Sequence, residues 1–347
     1  MSFPLRVLVV GDPYMPVSAF GSALASLDRL VSVSTMQIDS MTAVPPRTES
    51  ERRLAEYVGD PAVVASAVAG HDVLIVHGAP VSSEVLEAAP LRLVCCARGG
   101  PVNVDVAAAT DLGIPVVNTP GKNAEAVAEL TIAFALLLIR GIPRASRHLL
   151  DGGGFAESVF EGREFFGHEA PGMTMGLVGL GHVGREVAAR ALALGFSVVG
   201  YDPAGFDVAG VAVVSFDELL ERSDVVSVHA RLGASNLRMF SADAFARMRQ
   251  GAFFINTARE GLVDEAALCF SLSSGHLGGA ALDVLERDGE RGRLLGMPNV
   301  FVTPHIGGAT AETLARGARR AVAAVGGLLA GRMPADVVNP QVLRAAL

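Results

Sequence analysis

Gly179-Leu-Gly-His-Val-Gly184 has the spacing of a turn that receives phosphate. The apolar run Met173–Val178 leads into it and stops at the first glycine, as a buried strand would. Arg185–Leu194 follows with helical spacing and ends at Gly195, and a second apolar run, Phe196–Tyr201, ends on Asp202. Gly179 permits the tight turn, Gly181 lets the backbone approach a pyrophosphate, and Gly184 lets helix and strand pack closely. The helix then faces the phosphates with free amides and the positive end of its dipole. Asp202 lies where a carboxylate accepts hydrogen bonds from a ribose diol and repels a 2′-phosphate, which favours NAD over NADP. Glycine-rich turns also arise for purely structural reasons. Here strand, helix, second strand and acid are all in place, and together they argue for a dinucleotide site.

Three further loops carry polar groups directly after strand-like runs: Asn256-Thr-Ala-Arg259, the stretch with Glu286 and Asp288, and Thr303-Pro-His-Ile-Gly-Gly308. In a doubly wound sheet ligands sit beyond the carboxyl ends of the strands, so these loops are expected to converge. An Arg, an acid and a His gathered there suit hydride transfer. The His exchanges a proton with a hydroxyl or carbonyl oxygen. A hydrogen-bonded carboxylate orients the imidazole and favours its charged form. The Arg grips a carboxylate with its planar fork and polarises the neighbouring carbonyl. Taken singly, an Arg after a strand is usually a surface charge and a His in a turn is usually solvated. Beside a dinucleotide motif the set favours function.

Elements that must position these residues can be read along the chain. Arg6–Val10, Asp72–His77 and Leu93–Cys96 read as strands, with helical patterns at Pro61–Val68 and Ser82–Ala89 between them. That alternation argues for a parallel sheet covered by helices on both faces. Residues 40–53 read as a surface loop. One long helix is expected from about Asn123 to Leu150, bent near Gly141 and Pro143, and residues 155–172 as a loop-like crossing. Val225–His229, Ala252–Asn256, Gly279–Asp283 and Val300–Thr303 continue as strands after the dinucleotide unit. A last helix is expected over about Ala309–Ala330. No internal repeat or low-complexity segment is present.

Length and composition bound the rest. The chain has 347 residues, half of them hydrophobic, which suits two globular α/β domains. Its net charge of −8 gives no reason to expect nucleic acid or an anionic membrane as partner. Cys95 and Cys96 lie in an apolar strand-like run and are expected on opposite faces as small buried side chains in a reduced compartment. Neither they nor Cys269 have metal-ligand spacing, so no metal is expected. The N-terminus is too short and wrongly flanked for a secretory signal. Leu130–Ile139, the longest apolar helical run, falls well short of the ~18 residues that span a bilayer. A soluble, cytoplasmic protein is the simplest expectation.

The motifs Asn118-Thr-Pro-Gly-Lys-Asn-Ala-Glu-Ala-Val-Ala-Glu129, Gly179–Gly184, Phe254–Arg259, Ala280–Val284 and Thr303–Thr310 together resemble the D-isomer-specific 2-hydroxyacid dehydrogenases, most closely the D-3-phosphoglycerate dehydrogenase branch. The similarity covers nearly all of residues 70–340. It implies an α/β fold of two doubly wound parallel-sheet domains, with a Rossmann-type cofactor domain (121–306) inserted in a flavodoxin-like substrate domain (1–120 and 307–347). The site of such enzymes lies in the cleft between the domains. The resemblance places the catalytic Arg on Arg259, the proton-transfer His on His305 and the acid on Asp288. Contacts to NAD fall on Gly179, Gly181, His182, Val183, Gly184, Asp202, Ala230, Thr257, Ala258, Asp283 and Gly308. The substrate loop falls on Cys96–Asp105, with Gly99 and Gly100 as amide donors to the substrate carboxylate. The implied reaction interconverts a small 2-hydroxy acid and its 2-oxo acid. The region 123–150 pairs two subunits in such proteins, so an isologous homodimer is expected.

The sequence also departs from the family pattern. The acid is usually a Glu followed by Pro, whereas Asp288 precedes Gly289, leaving Glu286 as the fallback. Glu260 stands where a Gly usually follows the catalytic Arg, and Arg231 where a Pro is usual. Arg98 and Arg231 suggest extra positive charge for a second anionic group on the substrate, such as phosphate or phosphonate. A different class of protein, an NAD(H)-sensing binding protein of the same fold with little turnover, is the competing reading. The chain ends soon after Pro340, so the serine feedback typical of longer phosphoglycerate dehydrogenases is not expected.

Overall fold

Most strands in this chain are short apolar runs that alternate between two covered faces, and every strand pairing in both sheets is parallel. The computed structural model describes residues 4–27, 31–154, 163, 165–332 and 334–344. Its contacts divide the chain into two compact units, Met1–Lys122 with Thr310–Leu347, and Asn123–Ala309.

The first unit holds a five-stranded sheet. Its strands are β1 (Leu5–Gly11), β2 (Val31–Gln37), β3 (Val73–Val76), β4 (Leu93–Cys96) and β5 (Val116–Val117), in the spatial order β2-β1-β3-β4-β5. Because strand side chains alternate, one face of the sheet packs Leu8, Val10, Leu74, Val76, Val94 and Cys96, and the other packs Val7, Val9, Val73, Ile75, Leu93 and Cys95. The adjacent cysteines thus enter separate cores, and burial raises both thiols, Cys96 to about 11. The helix Ala311–Leu329 closes the second face with Ala318, Ala321, Val322 and Val325, and the Thr310 side chain caps it by accepting from the Thr313 N–H. Asn339 fastens the chain's last segment to β5. Its Oδ1 accepts from Val116 N at 2.8 Å, and its Nδ2 donates to Ile114 O at 2.9 Å.

A seven-stranded sheet forms the second unit. Its strands are β6 (Thr174–Val178), β7 (Ser197–Tyr201), β8 (Val211–Val213), β9 (Val225–Val228), β10 (Phe253–Asn256), β11 (Gly279–Leu282) and β12 (Val300–Val302), in the order β12-β11-β10-β9-β6-β7-β8. The direction of winding reverses between β6 and β9, which makes the carboxyl ends of those strands the topological switch point. One face is filled by Val226, Val228, Phe254 and Leu282 with aromatic packing from Phe240 and Phe245, the other by Leu177, Val225, Ile255 and Ala281 against the helix Ala124–Ile139.

Several elements differ from the sequence reading. The long helix expected over 123–150 is two helices, Ala124–Ile139 and Ile142–Leu150, bent by 68° at the break. Gly141 takes a left-handed conformation (φ +63°) that ends the first, and Pro143 lies in the first turn of the second, where its missing N–H costs nothing. No single helix among the described residues is long and apolar enough to cross a membrane. Residues 40–53 include a helix, Glu49–Arg53, opened by a capping box between Thr48 and Glu51. The last helix begins at Ala311, two residues after the expected start. Strand β2 is mostly exposed and has polar residues at Ser32, Ser34, Thr35 and Gln37, so it lacks the continuous apolar run that marks the other strands. Of the crossing expected over 155–172, residues 155–162 and 164 lie outside the described residues.

Candidate functional site

In the second unit the glycine turn joins β6 to the helix His182–Ala193. Gly179 has φ +101°, and a Cβ there would stand 2.7 Å from the Ala230 nitrogen. A Cβ on Gly184 would stand 2.0 Å from the Gly179 oxygen, so helix and turn meet with no room for a side chain. Gly181 differs: a Cβ there would meet nothing within 4 Å, and its surface is open to a group approaching the helix end. Among the described residues no side chain caps that helix, so its first amides, from His182 onward, are open to a ligand. The Asp202 carboxylate accepts from Leu180 N (2.8 Å) and Ala204 N (2.9 Å). These two bonds fix it at the end of β7 against the turn and leave each oxygen a further lone pair. An open Gly181, an uncapped helix end and an anchored acid fit a dinucleotide: amides of 181–184 for the pyrophosphate, Asp202 for the ribose.

The neighbouring strand ends carry the remaining groups. His229 follows β9, and its Nε2 lies 3.0 Å from Ser227 Oγ while its Nδ1 is buried without a hydrogen-bond partner among the described residues. Burial drives its pKa down to about 3, so the ring is neutral. Ala230 and Arg231 come next, and the Arg231 side chain is exposed with no ion pair among the described residues. After β10, the Asn256 side chain shapes the turn. It accepts from Ala258 N at 2.9 Å and donates to Arg259 O at 2.9 Å. Thr257 Oγ1 is 3.1 Å from Thr131 Oγ1 on the helix Ala124–Ile139. Arg259 itself is exposed. Its guanidinium donates to Ala258 O at 2.8 Å and has no carboxylate partner among the described residues.

His305 follows β12 and holds a left-handed backbone, φ +57°, unusual for a residue with a side chain. Asp283, at the end of β11, imposes it. Asp283 is 2% exposed, and its Oδ1 accepts from Thr303 Oγ1 (2.6 Å) and Ile306 N (2.8 Å). Its Oδ2 accepts from Gly307 N (2.8 Å), and its backbone oxygen from His305 N (2.9 Å). A Cβ on Gly308 would stand 3.0 Å from Asn123 Nδ2, so this end of the loop is tightly seated too.

Asp288 is exposed, and neither it nor the His305 ring has a hydrogen-bond or ion-pair partner among the described residues. The structure therefore does not bring this acid and this base together. Glu286, the fallback, is 3.8 Å from Arg238. The loop that carries both acids is held by Glu265. Its carboxylate, 6% exposed, accepts from Glu286 N (2.7 Å) and Glu290 N (3.2 Å), and burial raises its pKa against the pull of those amides. A Cβ on Gly289 would stand 2.5 Å from Glu265 Oε2, which explains why a glycine follows Asp288. The turn-shaping role of Asn256 and the anchoring role of Glu265 are not readable in the sequence. An Asn at the end of a buried strand is a common turn former, and that is the signal available for the first. Glu265, in the opening turn of a helix, looks like an ordinary dipole partner.

In the first unit, Arg98, Gly99 and Gly100 follow β4. Arg98 is paired with Glu56, to both its backbone oxygen and its carboxylate, and Asn118 Nδ2 donates to Gly99 O at 2.8 Å. A Cβ on Gly99 or Gly100 would meet nothing within 4 Å. Asp12, after β1, accepts from His77 Nδ1 at 2.9 Å after β3, and Tyr14 stacks on His77 at 5.2 Å.

Comparison with known proteins agrees with this geometry. Residues 132–307 match the family model described as "D-isomer specific 2-hydroxyacid dehydrogenase, NAD binding domain". The chain is 40% identical over 252 residues to a hydroxypyruvate reductase of Thermotoga maritima, covering 71% of this chain and 80% of that one. It is 39% identical over 281 residues to a D-3-phosphoglycerate dehydrogenase of Mycobacterium tuberculosis, covering 79% of this chain and 52% of that one. It thus spans about half the length of the curated D-3-phosphoglycerate dehydrogenases it matches. Among solved structures it is similar to the TT0316 protein of Thermus thermophilus, with TM-score 0.76, 32% identity, and coverage of 96% of this chain and all of that one. An NAD complex of a D-isomer specific 2-hydroxyacid dehydrogenase from Lactobacillus delbrueckii ssp. bulgaricus, 22% identical over 96% of this chain and all of that one with TM-score 0.80, shares the fold. With the glycine turn, the anchored Asp202 and the Asp283-bound His305 loop in place, this chain belongs to the D-isomer-specific 2-hydroxyacid dehydrogenase family.

Proposed function

We propose that this protein is an NAD-dependent oxidoreductase that interconverts a small 2-hydroxy acid and its 2-oxo acid. One observation carries the reading. Arg259 after β10 and His305 after β12 stand at the same carboxyl edge of one parallel sheet as the glycine turn and Asp202. Bound nicotinamide would supply or receive the hydride. Arg259 has a guanidinium with no carboxylate partner among the described residues, and it binds the substrate carboxylate through its fork while polarising the adjacent carbonyl. His305 donates a proton to the substrate oxygen in reduction and accepts it in oxidation. Asp288, or Glu286 in its place, is the acid assigned to orient His305. The cofactor contacts are assigned to Gly179, Gly181, His182, Val183, Gly184, Asp202, Ala230, Thr257, Ala258, Asp283 and Gly308. Asp283 acts there through the loop it holds.

Residues 1–120 with 307–347 are assigned to substrate binding and 121–306 to the cofactor. Gly99 and Gly100 offer open backbone for a substrate carboxylate, and the exposed Arg231 adds positive charge suited to a substrate with a second anionic group, to which Arg98 contributes less because Glu56 pairs with it. Hydroxypyruvate and phosphorylated or phosphonate 2-oxo acids are therefore the leading substrates, in keeping with the names of the relatives. The protein acts in the cytoplasm as a homodimer. Exposed Ile142, Leu149 and Leu150 on the helix Ile142–Leu150, the last 79% exposed, support that pairing.

The test is NADH oxidation by the purified protein against glyoxylate, pyruvate, hydroxypyruvate and their phosphorylated or phosphonate analogues. Rapid turnover with one member is the expected result. NADH binding without turnover on any of them would favour the cofactor-sensing alternative.

A further inference from the structure

Lys122 ends the turn Asn118–Lys122 after β5 and is 6% exposed, yet its Nζ has no hydrogen-bond partner among the described residues. A buried ammonium without a partner is costly, and proteins rarely keep one without a use. The same turn holds a second such atom: Thr119 Oγ1, in a residue 1% exposed, also lacks a partner.

The surroundings explain why Lys122 finds no mate. Cys96, Arg98 and Asp12 act on its charge, and His77 is a further titratable neighbour, itself bonded to Asp12. Cys96 is a protonated thiol and Arg98 is a cation already paired with Glu56. Asp12 is the one carboxylate of the three, and its lone pairs are filled. Oδ1 accepts from Tyr14 N and Met15 N (both 2.9 Å), and Oδ2 from His77 Nδ1 (2.9 Å) and Gly78 N (2.7 Å). The lysine stem is fixed by packing. A Cβ on Gly317 would stand 3.1 Å from its Cδ and 3.4 Å from its Nζ. Asp12, His77, Arg98 and the turn itself all follow carboxyl ends of strands in one parallel sheet whose winding reverses between β1 and β3, the place where such sheets bind ligands.

We propose that the turn Asn118–Lys122 is an oxyanion-binding site, in which Lys122 Nζ and Thr119 Oγ1 hold a carboxylate or phosphoryl oxygen of the substrate. This rests on the reading of residues 1–120 with 307–347 as the substrate-binding part. It adds a buried cation to those already assigned, and it makes Lys122 a specificity determinant. Burial lowers the Lys122 pKa to about 8, so the ammonium is still charged at neutral pH.

The experiment compares the full chain with K122M, K122R and T119V at pH 7 in low-chloride buffer. Binding of oxalate and of inorganic phosphate is measured by calorimetry, together with NADH affinity and thermal stability. The site predicts that wild type binds at least one of the two anions. It predicts that K122M weakens that binding about tenfold or more, the scale of a lost charge-assisted hydrogen bond, and that K122R retains most of it. NADH affinity should stay unchanged, and the Tm of K122M should not fall, because a merely structural lysine would lower it. With a turned-over 2-oxo acid, K122M should raise KM by the same factor and leave kcat within about threefold. Equal anion binding by wild type and K122M, or none by wild type, would overturn the site even if the enzyme turns over. Anion binding lost in K122M, with no turnover on any 2-oxo acid, would keep the site and remove the dehydrogenase reading.

Discussion

Asp283 sets the conformation of His305 without touching its ring. The carboxylate accepts from Thr303 Oγ1, Ile306 N and Gly307 N, and its backbone oxygen receives His305 N, so the strained φ of +57° is held from both sides. Asn at this position keeps one acceptor and points an NH2 at a donor. Asp283→Asn should lower stability by about 1–3 kcal/mol, the cost of a buried donor left unpaired. It should also lower kcat by about 10²-fold, the scale set by a small displacement of a reacting group. Thermal melts and steady-state rates check both. A variant with wild-type kcat would show that the loop needs no such anchor.

Arg259 presents its fork to solvent with only Ala258 O engaged. Arg259→Lys keeps the charge and loses the paired geometry, so it is not conservative here. We expect kcat/KM for any 2-oxo acid to fall about 10²–10³-fold, with NADH affinity unchanged. A loss confined to NADH affinity would move Arg259 from the substrate to the cofactor.

Asp202 decides between the two nicotinamide cofactors. Its carboxylate is fixed by Leu180 N and Ala204 N, so it cannot swing away from a 2′-phosphate. Asp202→Ala should weaken NADH binding about tenfold and narrow or reverse the preference over NADPH. Fluorescence titration of both cofactors reads this directly, and an unchanged ratio would assign the preference elsewhere.

Much of this site is legible in the sequence, and the part that is not has a common physical origin. Gly179–Gly184 with Asp202 is readable because phosphate binding demands small residues at fixed spacing, and those demands are local. Strand ends at 256, 283 and 303 are readable because buried parallel strands are continuous apolar runs. The anchoring role of Asp283 is not, since it depends on a loop some twenty residues away that only the parallel pairing of β11 and β12 brings alongside. Glu265 is hidden for the same reason: it grips a loop that follows a different strand. Lys122 is inconspicuous because a lysine in a Pro-Gly turn reads as exposed, and its burial depends on long-range packing such as that of Gly317, nearly two hundred residues on. The bend at Gly141 is readable from its glycine and the nearby proline, but one glycine in the left-handed region is enough to divide the helix.

His229 should make the protein sensitive to acid. Burial holds its pKa near 3, below the 6.5 of a free imidazole, so the native state binds fewer protons than the unfolded chain between those values. Stability attributable to His229 is therefore complete above about pH 6.5 and is lost as pH falls toward 3. In His229→Gln that part of the slope should vanish, which denaturant titrations at pH 7, 6, 5 and 4 would resolve. Parallel pH profiles for variant and wild type would mean that the ring protonates freely in the folded protein.

The most direct test of the account follows the hydride itself. The protein is given NADH deuterated at C4 of the transferred face, with the 2-oxo acid it turns over fastest, and the product is analysed by mass spectrometry and NMR. The account predicts one deuterium at C2 of a 2-hydroxy acid of D configuration, and its loss with His305→Asn under conditions where NADH still binds. Product without deuterium at C2, or undiminished transfer by the His305 variant, would contradict it.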